Sequence, residues 1–154
     1  MSSRTFKIFA DYHQFYIQDE SADGDLSEAW TDEAAANLLA VVDGTVGVGT
    51  VRNMDVPVTI EILSNEPPLN LANWDRVNEC SIGAKSGKLV IAGCTDYFPE
   101  AARIQITPGI YRVRVCYGQL KSISSDGLEG DDNYILQLWP DIAILPAVIK
   151  ANNS

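Results

Sequence analysis

His13 is the only histidine in the 154-residue chain, and it stands in the segment Asp11-Tyr12-His13-Gln14-Phe15. Histidine is the side-chain type suited to general acid–base work near neutrality, so a hydrolase built here would need a nucleophile beside this residue. None is announced. The chain has no Gly-x-Ser-x-Gly elbow, no glycine-rich phosphate loop and no dinucleotide fingerprint. His13 therefore reads as a structural histidine held by a carboxylate or a backbone group. No residue is assigned a catalytic role, and the chemistry calls for no cofactor.

Metal ligation finds little more. The three cysteines, Cys80, Cys94 and Cys116, are widely spaced and form no Cys-x-x-Cys, and one histidine cannot complete a zinc pattern. They read as reduced, partly buried thiols in apolar runs. Asp19-Glu20-Ser21-Ala22-Asp23-Gly24-Asp25-Leu26-Ser27-Glu28 invites a calcium test. With Gly24 at the sixth position of an EF-hand loop, Asp19, Ser21 and Asp23 fall correctly, but Trp30 stands where the bidentate glutamate belongs. An EF-hand is rejected. A weak, irregular divalent-ion site in this loop stays open, and no residue is assigned to a metal.

Charge is more informative. The formal net charge is −10, and nucleic acids and anionic membranes are bound by Lys and Arg that neutralise phosphates. Direct binding to either is not expected. The carboxylates are uneven: residues 11–33 hold Asp11, Asp19, Glu20, Asp23, Asp25, Glu28, Asp32 and Glu33 with no lysine or arginine. A second run comprises Asp126, Glu129, Asp131, Asp132 and, beyond a tyrosine-bearing strand, Asp141. Such runs serve solubility or form an electrostatic face for a basic partner. Trp30, between an acidic loop and a helix start, is expected to be partly exposed, whereas Trp139 reads as core.

The elements that must position these residues are mostly strands. Period-two alternation runs through 5–9, 12–17, 45–52, 58–63, 74–82, 89–92, 110–117 and 134–139, and Ile104 and Ile106 lead into the Pro108-Gly109 turn. The strand over 12–17 would put Tyr12 and Gln14 on one face and His13 and Phe15 on the other. Gly47 and Gly49 point to a bulge or a close backbone approach. One helix is announced: Thr31 as N-cap, Asp32 and Glu33 in the first turn, then an alanine-rich run ending near Val41 or Val42, with Asp43-Gly44 as the stop. Eight or nine strands and one short helix predict a mainly β fold, an antiparallel two-sheet β-sandwich. At this length a single domain over 1–154 is expected, burying about 70% of the surface its unfolded chain exposes. No apolar run reaches the ~18–20 residues a membrane span needs, and the first residues lack a signal peptide's apolar stretch. A cytoplasmic location is the expectation.

Tyr12-His13-Gln14-Phe15, Trp30-Thr31-Asp32-Glu33-Ala34, Asp43-Gly44 and Arg52-Asn53 together resemble the competence protein J family, whose type member is an acidic inhibitor of a DNA-entry nuclease. The match is close over residues 11–53 and thins to a generic β pattern beyond. The resemblance implies a small acidic protein that binds and inhibits a basic nuclease or related toxin. Its acidic face would then draw on Asp19, Asp23, Asp25, Glu28, Trp30, Asp32 and Glu33, with Asp131 and Asp132 from the second run. Arg52 is expected to pair with a carboxylate of the motif itself. Two other classes remain open: a sandwich module binding carbohydrate or calcium, and a structural or self-assembling protein. The sequence leaves the oligomeric state open.

Overall fold

Alternating apolar residues do form strands along most of the chain. A computed structural model describes residues 2–151. In chain order the strands are β1 (Ser2–Phe9), β2 (Gln14–Asp19), β3 (Leu39–Val42), β4 (Thr45–Gly49), β5 (Asp55–Ile62), β6 (Arg76–Ala84), β7 (Lys88–Gly93), β8 (Ala102–Gln105), β9 (Gly109–Gly118), β10 (Asn133–Pro140) and β11 (Ala147–Lys150). Among the described residues there is a single α-helix, α1 (Asp32–Asn37), between β2 and β3. The fold is mainly β with two sheets, as alternation predicted.

The first sheet runs β1-β5-β10-β9-β6-β11 and the second β3-β4-β2-β7-β8. Their facing sides interdigitate: Phe15, Ile17, Val46, Val48, Leu89 and Ile91 meet Val58, Ile60, Val113, Val115, Tyr134 and Leu136 in one buried core. Burial of such side chains stabilises by about 1.5–3 kcal/mol each relative to exposure. One pairing departs from the antiparallel expectation. β10 lies parallel to β5, Tyr134 opposite Val58 and Leu138 opposite Ile62.

Three local expectations are corrected. The helix stops at Asn37, because Leu38 turns left-handed at φ 58°. The Leu38 carbonyl is also claimed by the Gly49 amide and the Tyr117 hydroxyl. Leu39–Val42, read as helix, is instead an edge strand on β4, and Asp43-Gly44 is the hairpin turn between them, Gly44 supplying its φ of 73°. Tyr12 and His13 are not strand residues at all. The last four-residue strand, β11, had no reading as a strand; it pairs with β6 through a register shift.

Around β9 and the end of β10 the outer side of the first sheet is covered rather than solvated. Arg114, 1% exposed, pairs its Nε with Glu79 at 2.8 Å and a terminal nitrogen with Glu66 at 3.0 Å, and its guanidinium lies 5.0 Å from the centre of the Trp139 ring. Residues 64–70 and 141–146 strap over this layer: Pro67 accepts from Arg114, and Ile142 accepts from Arg112. Trp139 is buried as expected, but beneath a strap instead of between the sheets.

Candidate functional site

The chain leaves β1 and crosses to the second sheet through Ala10–His13. The crossing is tight: a Cβ on Gly93 would lie 2.0 Å from the Phe9 carbonyl oxygen. Tyr12 and His13 take φ of 60° and 57°, the left-handed region, where a non-glycine residue costs about 1–3 kcal/mol. Their surroundings hold them there. The Tyr12 amide donates to Asp11 Oδ1 (3.0 Å), and the His13 amide donates to the Ala10 carbonyl (3.1 Å) and Asn53 Oδ1 (3.3 Å). Thr50 N–H donates back to the His13 carbonyl at 2.8 Å. His13 Nδ1 is 3.3 Å from the Thr50 carbonyl; a carbonyl only accepts, so Nδ1 is the donor, and in the neutral ring Nε2 is the acceptor. Tyr12 consequently stands 70% exposed.

Behind this segment lies a buried polar chain. Arg52 Nε donates to Asp132 Oδ1 at 2.6 Å, and the other carboxylate oxygen accepts from the Tyr134 hydroxyl at 2.7 Å. That hydroxyl accepts in turn from the Val51 amide at 3.1 Å, and burial pushes its proton affinity well up. Tyr134 packs edge-on to Phe15 and Tyr117. Tyr117 Oη donates to the Leu38 carbonyl at 2.6 Å, and Asn78 Nδ2 donates to the Asn37 carbonyl at 2.8 Å. The C-terminal end of α1 is thereby tied to the network that anchors Arg52.

Two proposed partner-binding carboxylates are therefore corrected. Asp132 is fully buried and neutralised by Arg52, so it is no part of an acidic surface. Arg52 finds its carboxylate, but 80 residues away and outside the motif that carries the resemblance. Asp19 is 1% exposed. Its oxygens accept from the amide and hydroxyl of Ser21 and from the amide (2.9 Å) and hydroxyl (2.8 Å) of Ser86. Burial alone would raise its carboxyl; the serine donors outweigh burial and hold it below the ordinary 3.8. Asp19 is thus committed to folding the loop, and among the described residues no group of three or more His, Cys, Asp or Glu side chains is placed to hold a metal ion.

The remaining carboxylates of the first run lie outside. Asp23, Asp25, Glu28, Asp32 and Glu33 are exposed, and none forms an ion pair with a described basic side chain, whereas Glu20 is taken by Arg103 at 2.7 Å. Ser27 donors hold the Asp25 carboxyl below its ordinary value. Asp131 is exposed with Asp126 and Glu129 in a separate loop, and Asp43 sits exposed at its hairpin tip.

Trp30 joins the two regions. It is half-buried, packed on β4 where a Cβ on Gly47 would approach its ring to 3.0 Å. The glycines of β4 thus make room for Leu26, Trp30 and Leu38 side chains, with no bulge in the pairing of β4 to β2. Tyr12, His13, Gln14, Trp30, Ala35 and Leu38 border a pocket of about 240 Å³ beside α1. Trp30 Nε1 is shielded from solvent with no hydrogen-bond acceptor among the described residues. Residues dispersed over 12–53 are therefore neighbours on one surface, with exposed Asn53 beneath His13. Thr50, Leu38 and Tyr134, which hold this surface together, were not singled out beforehand. The cysteines add no reactive group: burial pushes Cys80 and Cys116 up to about 12, and Cys94, exposed just beyond β7, is also raised.

No protein-family model and no curated protein matches the sequence. Solved structures do. The crystal structure of ComJ, inhibitor of the DNA degrading activity of NucA, from Bacillus subtilis superposes with a TM-score of 0.71 at 17% identity, covering 91% of this chain and 98% of that one. This chain has the ComJ fold. A protein described as crocagin biosynthetic gene J is similar at a TM-score of 0.58 and 19% identity, covering 92% of this chain and 100% of that one. The ComJ fold thus occurs in proteins described in two different contexts, and fold alone does not fix a role.

Proposed function

We propose that this chain is an acidic inhibitor that binds a nuclease, as ComJ inhibits NucA, and that it has no catalytic activity of its own. The observation that carries the reading is the end-to-end likeness to ComJ, 91% of one chain against 98% of the other. The charge distribution supports it. Nucleases hold phosphates with basic surfaces, and the exposed, unpaired carboxylates Asp23, Asp25, Glu28, Asp32 and Glu33 offer the complementary sign from loop and helix positions. Such a face accelerates encounter. The reading includes action in the cytoplasm as one domain.

The test is inhibition and capture of a nuclease encoded near this protein's gene, followed by association kinetics at rising salt. Exposed charges are screened over a Debye length of about 8 Å at physiological ionic strength, so the association rate should fall steeply with salt. The double variant Asp23→Lys, Asp25→Lys should associate at least about ten-fold more slowly while melting normally, because exposed loop charges contribute little to the fold. A tight complex whose association ignores both salt and the double reversal keeps the inhibitor and discards the acidic face. Failure to bind any such nuclease removes the reading.

A further inference from the structure

We propose that the pocket bordered by Tyr12, His13, Trp30, Ala35 and Leu38 receives a basic side chain, an arginine, from the protein partner. The inference rests on the inhibitor reading for who the partner is, and on the pocket itself for what enters it.

Three independent features favour a cation. The walls are aromatic: Tyr12 and Trp30 line the same 240 Å³ recess, and an aromatic face attracts a guanidinium placed over it. An acceptor is available from His13, which lines the recess: its Nδ1 is turned to the Thr50 carbonyl, so the neutral ring keeps its lone pair on Nε2. The charge is complementary. Asp32, one helical turn before pocket residue Ala35 and so on the same side of α1, is exposed and unpaired, and no lysine or arginine occurs between residues 11 and 33. The nearby cation, Arg52, is already neutralised by Asp132 at 2.6 Å and does not oppose an incoming one.

The backbone adds a reason to regard Tyr12 as retained for binding. A tyrosine held left-handed at φ 60° while 70% exposed buries little that would offset its strain, and strain of this kind gathers where a ligand is met. Tyrosine, tryptophan and arginine are also the residues that dominate protein interfaces.

The experiment has two arms. In the first, N-acetyl-Gly-Arg-Gly-amide is titrated into the full-length protein while the Trp30 indole N–H resonance is followed, with the citrulline peptide as the neutral isostere. Saturable movement with arginine, little with citrulline, is expected; Tyr12→Phe should keep it and Tyr12→Gly should lose it. The Tyr12→Gly melting temperature should hold or rise, since glycine adopts this φ without a Cβ penalty. Equal response to both peptides, or none, overturns the proposal. In the second arm, a nuclease inhibited by the wild-type chain should dissociate at least about ten-fold faster from Tyr12→Gly. An unchanged dissociation rate with inhibition intact discards the arginine pocket and keeps the inhibitor. Arginine-selective binding without any nuclease complex keeps the pocket and discards the inhibitor.

Discussion

Replacing Asp19 with alanine leaves three donors without an acceptor, the amide and hydroxyl of Ser21 and the amide of Ser86, while the Ser86 hydroxyl still reaches the Lys88 carbonyl at 3.1 Å. Hydrogen bonds to a charged group contribute about 1.5–3 kcal/mol each way they are measured, and with Ser21 and Ser86 partly rehydrated the expected loss is about 2–3 kcal/mol, read as a shifted denaturation midpoint. The carboxyl is held below 3.8 in the folded chain. A depressed folded value means the contribution is complete above 3.8 and is lost as pH falls through the folded value. Acid titration by circular dichroism should show wild type losing stability in that interval, with a shallower slope for Asp19→Asn. Residue type alone did not separate Asp19 from Asp23: both are carboxylates in one polar loop, and only the serines brought up by folding, one of them on the β6–β7 turn, distinguish a buried acceptor from a surface charge. The same limit hid Asp132. For His13 and Tyr12, alternation gave the wrong geometry because hydropathy carries no information on the sign of φ.

At the level of elements, the tight join between the sheets is the most sensitive position. Gly93→Ala would drive a methyl group into the Phe9 backbone oxygen, 2.0 Å from the ideal Cβ, and backbone cannot step aside as a flexible side chain would. The variant should lose about 3 kcal/mol or more, measured by urea denaturation, and the loss should exceed that of Gly83→Ala, where a Cβ meets nothing within 4 Å. Strands were legible wherever one face is core and the other is not, as in Val56, Val58 and Ile60 of β5. Leu39–Val42 was not, because its apolar run continues a helical one and only the left-handed Leu38 divides them. β11 lacks alternation and is exposed along most of its length. The outer layer of Glu79, Arg114 and Trp139 also went unread, since charged residues alternating along a strand describe a solvated face as well as a covered one.

Across the whole molecule, Arg52 and Asp132 bind the segment linking the two sheets to the loop before β10. Arg52→Ala leaves Asp132 buried without its counter-charge, and such losses run to about 3–5 kcal/mol. The Arg52→Ala, Asp132→Ala double variant should be less damaged than Arg52→Ala alone, because no orphan charge remains; a double-mutant cycle in chemical denaturant checks this. The wild-type pair is valuable chiefly for joining distant parts of the chain.

The parallel seat of β10 between β5 and β9 has a bearing on how the protein comes off the ribosome. Tyr134 must slot beside Val58, so a nascent chain carrying every strand through β9 still has β5 facing an empty place in the middle of its larger sheet. Closing that gap joins segments about half the sequence apart, and contacts of such long range put a β protein in the millisecond-to-second regime of folding. Until β10 has emerged, β1 and β5 form an antiparallel pair whose β5 edge lacks its neighbour, the state in which chaperones and neighbouring nascent chains compete for it.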